Sequence, residues 1–145
     1  MTDFTDFTEY QHASEDAQSH ELRWVDQTLF GSSVGNCFAA CVASILNVSL
    51  ASVPNFCASE DWWQRFVHWL DQRELTAIRV DGGPSWLPDG ALAIVSGPSV
   101  RGLMHATVWR GQTMVHDPHP SRAGLVVAVD AVLIFKMDPR VRSER

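Results

Sequence analysis

The sequence predicts an α+β domain in which N-terminal helices pack on a mostly antiparallel β-sheet. Three observations carry this. Residues 37–46 are small and apolar nearly all round, and residues 62–73 place Trp62, Trp63, Phe66, Val67, Trp69 and Leu70 at helical spacing. From Thr76 onward the apolar pattern shortens to strand-like runs. Two of those runs flank Gly111, as in a β-hairpin. Helices followed by strands, without alternation, favour antiparallel pairing over βαβ units.

Composition sets the frame. The chain has 145 residues, 46% apolar and 19% charged, which suits one globular domain. Seven acids against Arg23 crowd residues 1–26, and residues 1–20 are expected to form a flexible acidic arm. Residues 21–138 form the domain, and residues 139–145 a short basic tail. The net charge of −6 and the lack of a basic stripe argue against nucleic acid as a partner. No apolar run is long enough to span a membrane and the N-terminus does not resemble a secretory signal, so the expectation is a cytoplasmic protein. The odd count of three cysteines then points away from a disulfide framework and towards one special thiol.

Each element has its own cues. Gly31, Ser32, Ser33 and Gly35 make a loop, and Cys37–Leu46 follows as a buried helix that Asn47 caps. Ser49 starts a short turn ended by Pro54. Ser59 is the expected N-cap of the tryptophan helix, with Glu60 and Asp61 in its first turn and its end near Arg73. Its aromatic residues read mainly as core, with a substrate-facing wall as the other reading. Thr76–Val80 and Ala91–Val95 are strands, separated by the turn at Asp81–Pro84. A loop from Ser96 to Met104, hinged at Gly97 and Gly102, leads into Ala106–Arg110 and Gln112–His116. Val126–Val129 and Val132–Phe135 supply one or two more strands.

Cys37 stands out chemically. At a helix start it feels the positive end of the dipole and free backbone N–H groups, which favour thiolate and can hold an oxyanion. Cys41, one turn deeper, reads as a small apolar filler, and Cys57 has no assigned role. Cys37-x-x-x-Cys41 alone is weak evidence for a metal.

A thiol nucleophile needs a histidine with an orienting partner. His12 and His20 lie in the arm and His68 on the tryptophan helix, which leaves His105, His116 and His119. A three-residue hairpin loop, Arg110-Gly111-Gln112, sets His105 opposite Asp117, so that the carboxylate would hold Nδ1–H and leave Nε2 for the thiol. A two-residue Arg110-Gly111 turn sets His116 against His105 instead. His116-Asp117-Pro118-His119-Pro120 also reads as a rigid turn or a histidine pair for metal. Gln27 is a candidate second oxyanion donor. Asn36, Ser99 and Met104 are candidate cleft residues, Asn36 because it precedes the thiol and the others because their loop leads into His105.

Together, Gln27, Gly35-Asn36-Cys37-Phe38-Ala39-Ala40-Cys41, His105-Ala106-Thr107-Val108 and His116-Asp117-Pro118 resemble the papain-like cysteine peptidases, most of all their compact bacteriocin-processing branch. The chain is also similar to small phage and bacterial proteins with the same Gly-Asn-Cys-Phe-Ala-Ala-Cys start and His-Asp-Pro-His-Pro turn. The resemblance covers about residues 24–135 and implies a papain-like core with Cys37 as nucleophile, His105 as base and acid, Asp117 as orienter and Gln27 as oxyanion donor. Phe38 departs from the family's usual glycine, and no membrane or ATPase region adjoins.

Two functions follow. The first is a cysteine hydrolase or acyltransferase acting on a peptide or other amide through an acyl-enzyme thioester, with no cofactor or metal. The second is an inert binding module on the same fold, in which the acidic arm engages a basic protein partner.

Overall fold

The computed structural model describes residues 23–32 and 34–138. The expected acidic arm (1–20), with His12 and His20, and the basic tail (139–145) lie outside the described residues. The described residues form α1 (Cys37–Leu46), α2 (Trp62–Asp71), and strands β1 (Leu75–Asp81), β2 (Leu92–Pro98), β3 (Met104–Arg110), β4 (Thr113–His116) and β5 (Asp130–Lys136). Short 3₁₀ turns occupy Leu50–Ser52, Phe56–Ala58 and Pro84–Trp86. The strands make one antiparallel sheet in the order β1-β5-β2-β3-β4. The architecture is α+β, with helices before strands. No helix among the described residues is long and apolar enough to cross a membrane.

The apolar run of α1 is explained by its burial against β3 and β2, with the α2 aromatics at its N-terminal end. Every residue from Phe38 to Ile45 is buried. Ser44, the polar residue in that stretch, donates to the Ala40 carbonyl one turn back and accepts from Val25 N–H, so its hydroxyl is satisfied. Asn47 takes the left-handed conformation (φ 55°) that ends the helix.

α2 starts later than its N-cap signal suggested. Asp61, not Ser59, precedes the first helical residue, and the Ser59–Asp61 stretch is spent in turns. The helix docks on α1 through aromatic edges. Phe38 packs edge-on against Phe66 (5.0 Å between centroids) and Trp62 (5.2 Å), and Phe56 against Phe66 and Trp69. Such pairs contribute about 0.5–1.5 kcal/mol each beyond their buried area.

β2 and β5 are buried along most of their length because both sheet faces are covered. Leu92, Ile94, Ala106, Val108, Val132 and Ile134 meet the helices. Ala93, Leu133 and Phe135 meet Trp86, Leu87 and Ala91 on the other face. β5 pairs with β1 along all seven residues but with β2 over only three, Ile94–Val132 to Ser96–Asp130.

Three expectations about the second half are corrected. Val126–Val129 is not a strand: Val126 and Val129 donate singly to the Pro98 and Ser96 carbonyls, and their side chains find no face to cover. Ser96–Pro98 belongs to β2, and Gly97 is a contact point, not a hinge. A Cβ there would lie 1.9 Å from the Val127 carbonyl oxygen, so only glycine admits this segment. The hairpin loop, finally, is neither form anticipated. Arg110 pairs with Thr113 across Gly111-Gln112, with Gly111 at φ 57°.

Candidate functional site

Cys37, Gln27, His105 and Met104 line one cavity of about 390 Å³, together with His119, Arg79, Arg101, Asp130 and the aromatic residues Phe30, Phe38 and Trp62. It lies where the start of α1 meets the start of β3.

Cys37 is the first residue of α1 and half-buried. Burial pushes its thiol up, against the pull of hydrogen bonds from the Ala106, Phe38 and Cys37 backbone N–H groups. The expected preference for thiolate from the helix start alone is therefore corrected: desolvation outweighs the N–H groups and raises the thiol. Cys41 is fully buried and its thiol is pushed well up by desolvation, which suits an inert filler.

His105 is the second residue of β3 and almost wholly buried. Its Nε2–H donates to Asp117 Oδ1 at 2.6 Å. Asp117 is just past β4 and only 1% exposed. Burial raises its carboxyl, but hydrogen bonds from His105 and from the His119 and Gly124 N–H groups outweigh it and hold it below the usual carboxylate value. An ionised carboxylate only accepts, so Nε2 carries a proton and Nδ1 is the ring nitrogen not bonded to Asp117. The nitrogens are thus exchanged relative to the sequence expectation. The carboxylate is pinned by the loop N–H groups at 119 and 124 and meets the distal edge of the ring.

The register explains how the two meet. Trp109 pairs with Met114 but Val108 pairs with His116, so β4 carries Val115 as an extra residue. Without it, the two-residue loop would set Asp117 opposite Ala106, on the other face from His105. With it, Asp117 falls opposite Thr107 and shares the face of His105.

Gln27 is buried, and its Nε2 donates to the Leu29 carbonyl at 2.9 Å. That bond sets the carboxamide's orientation and leaves one N–H for another acceptor, while Oε1 is buried with no hydrogen-bond partner among the described residues. Asn36 is not a cleft residue. Its Oδ1 accepts from Thr28 and Leu29 N–H, and its Nδ2 donates to Thr28 Oγ1, which braces the strand-like segment that carries Gln27. Ser99 also stands apart from the cavity: it is buried and donates through Oγ and N to the Leu103 carbonyl, closing the β2–β3 turn. Met104 is exposed at the cavity edge.

His116 and His119 turn to different partners. His116 Nε2 donates to the Val25 carbonyl and lies 3.2 Å from Asp26, and its ring stacks on Trp24. His119 sits edge-on to His105 (6.1 Å) and Phe30 (5.5 Å). Its Nδ1 accepts from Ser121 N–H, and burial with the Arg101 charge holds its imidazole below the ordinary value. They do not converge as a metal pair, and no group of three or more potential ligands among the described residues could hold an ion.

The sequence reading gave Arg79, Asp130 and Arg101 no role, and read His119 as part of a rigid turn or of a histidine pair for metal, not as a cavity residue. Arg79 sits on the edge strand β1 and Asp130 at the start of β5, paired across the sheet end, so no local motif announces them. Trp62 packs on Phe38 and also lines the cavity, while Phe66 and Trp69 are core. Comparisons of the chain with protein-family models, with curated proteins and with solved structures return no match.

Proposed function

We propose that this protein is a cysteine-dependent peptidase or amidase, or an acyltransferase of the same chemistry, built on a papain-like core of the bacteriocin-processing type. One observation carries the reading: a buried His105–Asp117 pair at 2.6 Å opens onto the same cavity as a cysteine at a helix start. His105 Nδ1 accepts the Cys37 proton and Sγ attacks the amide carbonyl carbon. The Cys37 N–H and the second Gln27 Nε2–H hold the oxyanion. His105 returns the proton to the leaving amine, the C–N bond breaks, and the acyl group remains on sulfur as a thioester. Water, or an amine, then gives its proton to His105 and attacks the thioester, releasing the acyl product and the thiol.

The binding-module reading draws on the raised Cys37 thiol, which would be unreactive without help from His105. Iodoacetamide at about pH 6 separates the two, since an ordinary thiol of pKa about 8.5 is scarcely ionised there. The enzyme reading expects Cys37 to be alkylated far faster than Cys41 or Cys57, and His105→Ala to slow it. Equal, slow labelling of all three cysteines would sink it.

A further inference from the structure

The cavity wall carries two guanidinium groups although the chain as a whole carries −6. Its charged lining consists of Arg79, Arg101 and Asp130, with the His105–Asp117 pair at the chemical end. Asp130 is almost wholly buried and takes both Nε (3.0 Å) and Nη2 (2.8 Å) of Arg79 on the single oxygen Oδ2. That leaves Nη1 of a half-exposed guanidinium with no partner among the described residues. Arg101 Nη1 donates to the neutral Ser121 hydroxyl, and the guanidinium has no carboxylate partner among the described residues. The first turn of α1 holds no acidic residue to offset its positive end. Phe30, Phe38, Trp62 and Leu103 supply apolar stretches of the wall that strengthen a charge interaction made beside them.

We infer that the cleft selects substrates carrying a carboxylate close to the scissile amide, with Arg79 as the anchoring guanidinium and Arg101 as a second cation at the cavity wall. The inference rests on Cys37 being the nucleophile of the proposed function. Arginine suits the role because its unused N–H groups can pair with a carboxylate while Asp130 holds the other edge of the fork. A cationic substrate would meet two guanidinium groups and two carboxylates that are already engaged, Asp130 by Arg79 and Asp117 by His105.

The test is alkylation of Cys37 in the full chain by iodoacetate and by iodoacetamide, each followed by peptide mass analysis. Both react by sulfur attack on carbon with loss of iodide, and they differ in one negative charge. The iodoacetate-to-iodoacetamide rate ratio is divided by that of glutathione, so changes in thiol ionisation cancel. The expected ratio is on the order of 10-fold above glutathione, decreasing towards it at high ionic strength. Arg79→Gln should remove most of the preference, Arg79→Lys should restore part of it, and Arg101→Gln should cause a smaller loss. A ratio equal to that of glutathione, or one insensitive to both salt and Arg79→Gln, overturns the inference while the nucleophile stands. If iodoacetamide labels Cys37 no faster than Cys41, the proposed function falls and takes the inference with it.

Discussion

Asp117 reaches His105 because β4 carries one residue more than β3 between the pairs Trp109–Met114 and Val108–His116. The extra residue, Val115, reverses which face the next side chains occupy. A single backbone irregularity therefore decides whether the carboxylate orients the imidazole or faces the opposite side of the sheet.

Asp117→Asn should separate shape from charge. The amide cannot accept from His105, His119 and Gly124 at once, and if its NH₂ turns to His105 the imidazole proton moves to Nδ1. Cys37 alkylation near neutral pH should fall at least about 10-fold with the circular dichroism spectrum retained. An undiminished rate would remove Asp117 from the site.

The same carboxylate predicts an acid limb in stability. Its folded pKa is depressed, so the ionised form contributes stability above its unfolded value of about 4, lost as pH falls through the folded value. Between pH values of about 5 and 2, the Tm of the wild type should fall more steeply than that of Asp117→Asn. Parallel curves would contradict it.

Cys41 predicts the alkaline limb. Burial raises its thiol well above the ordinary value, so the neutral form contributes stability below the unfolded pKa of about 8.5, and this is lost as pH rises beyond it. Calorimetry from about pH 8 to 11 should show a falling Tm, with a shallower slope in Cys41→Ala. An identical slope would place the alkaline loss elsewhere.

Asn36→Ala leaves the Thr28 and Leu29 N–H groups without their acceptor. Both bonds are only partly buried, and such bonds contribute about 0.5–1.5 kcal/mol each, so denaturant unfolding should show a loss of about 1–3 kcal/mol. Because the same segment carries Gln27, Cys37 reactivity towards amide substrates should fall too. Asn36→Asp keeps the acceptor and should lose less stability.

Gly97→Ala would drive a methyl group into the Val127 carbonyl, a backbone atom that cannot swing aside. The expected cost is about 3 kcal/mol or more, a Tm decrease of roughly 10 °C. Gly102→Ala, with open space around it and φ 85°, should cost only about 1 kcal/mol.

The sequence alone determined what local physics and composition control. The all-round apolar run marked α1 as central, the i, i+3, i+4 aromatics marked α2, Asn47 marked the end of α1, and the helix-first order marked an antiparallel α+β domain. Cys37, His105 and Asp117 were legible as residue types in workable order, and the structure brings Cys37 and His105 to one cavity, with Asp117 bonded to His105. Tertiary structure decided the rest. The Val115 bulge, the choice of Nε2 over Nδ1, and the turning of Asn36 and Ser99 to backbone partners all depend on which strand ends and loops meet in space. Arg79 and Asp130 lie 51 residues apart, and only the antiparallel β1–β5 pairing makes them neighbours. Even the thiol's environment was not local: the helix start favours thiolate, but burial outweighs it and raises the thiol.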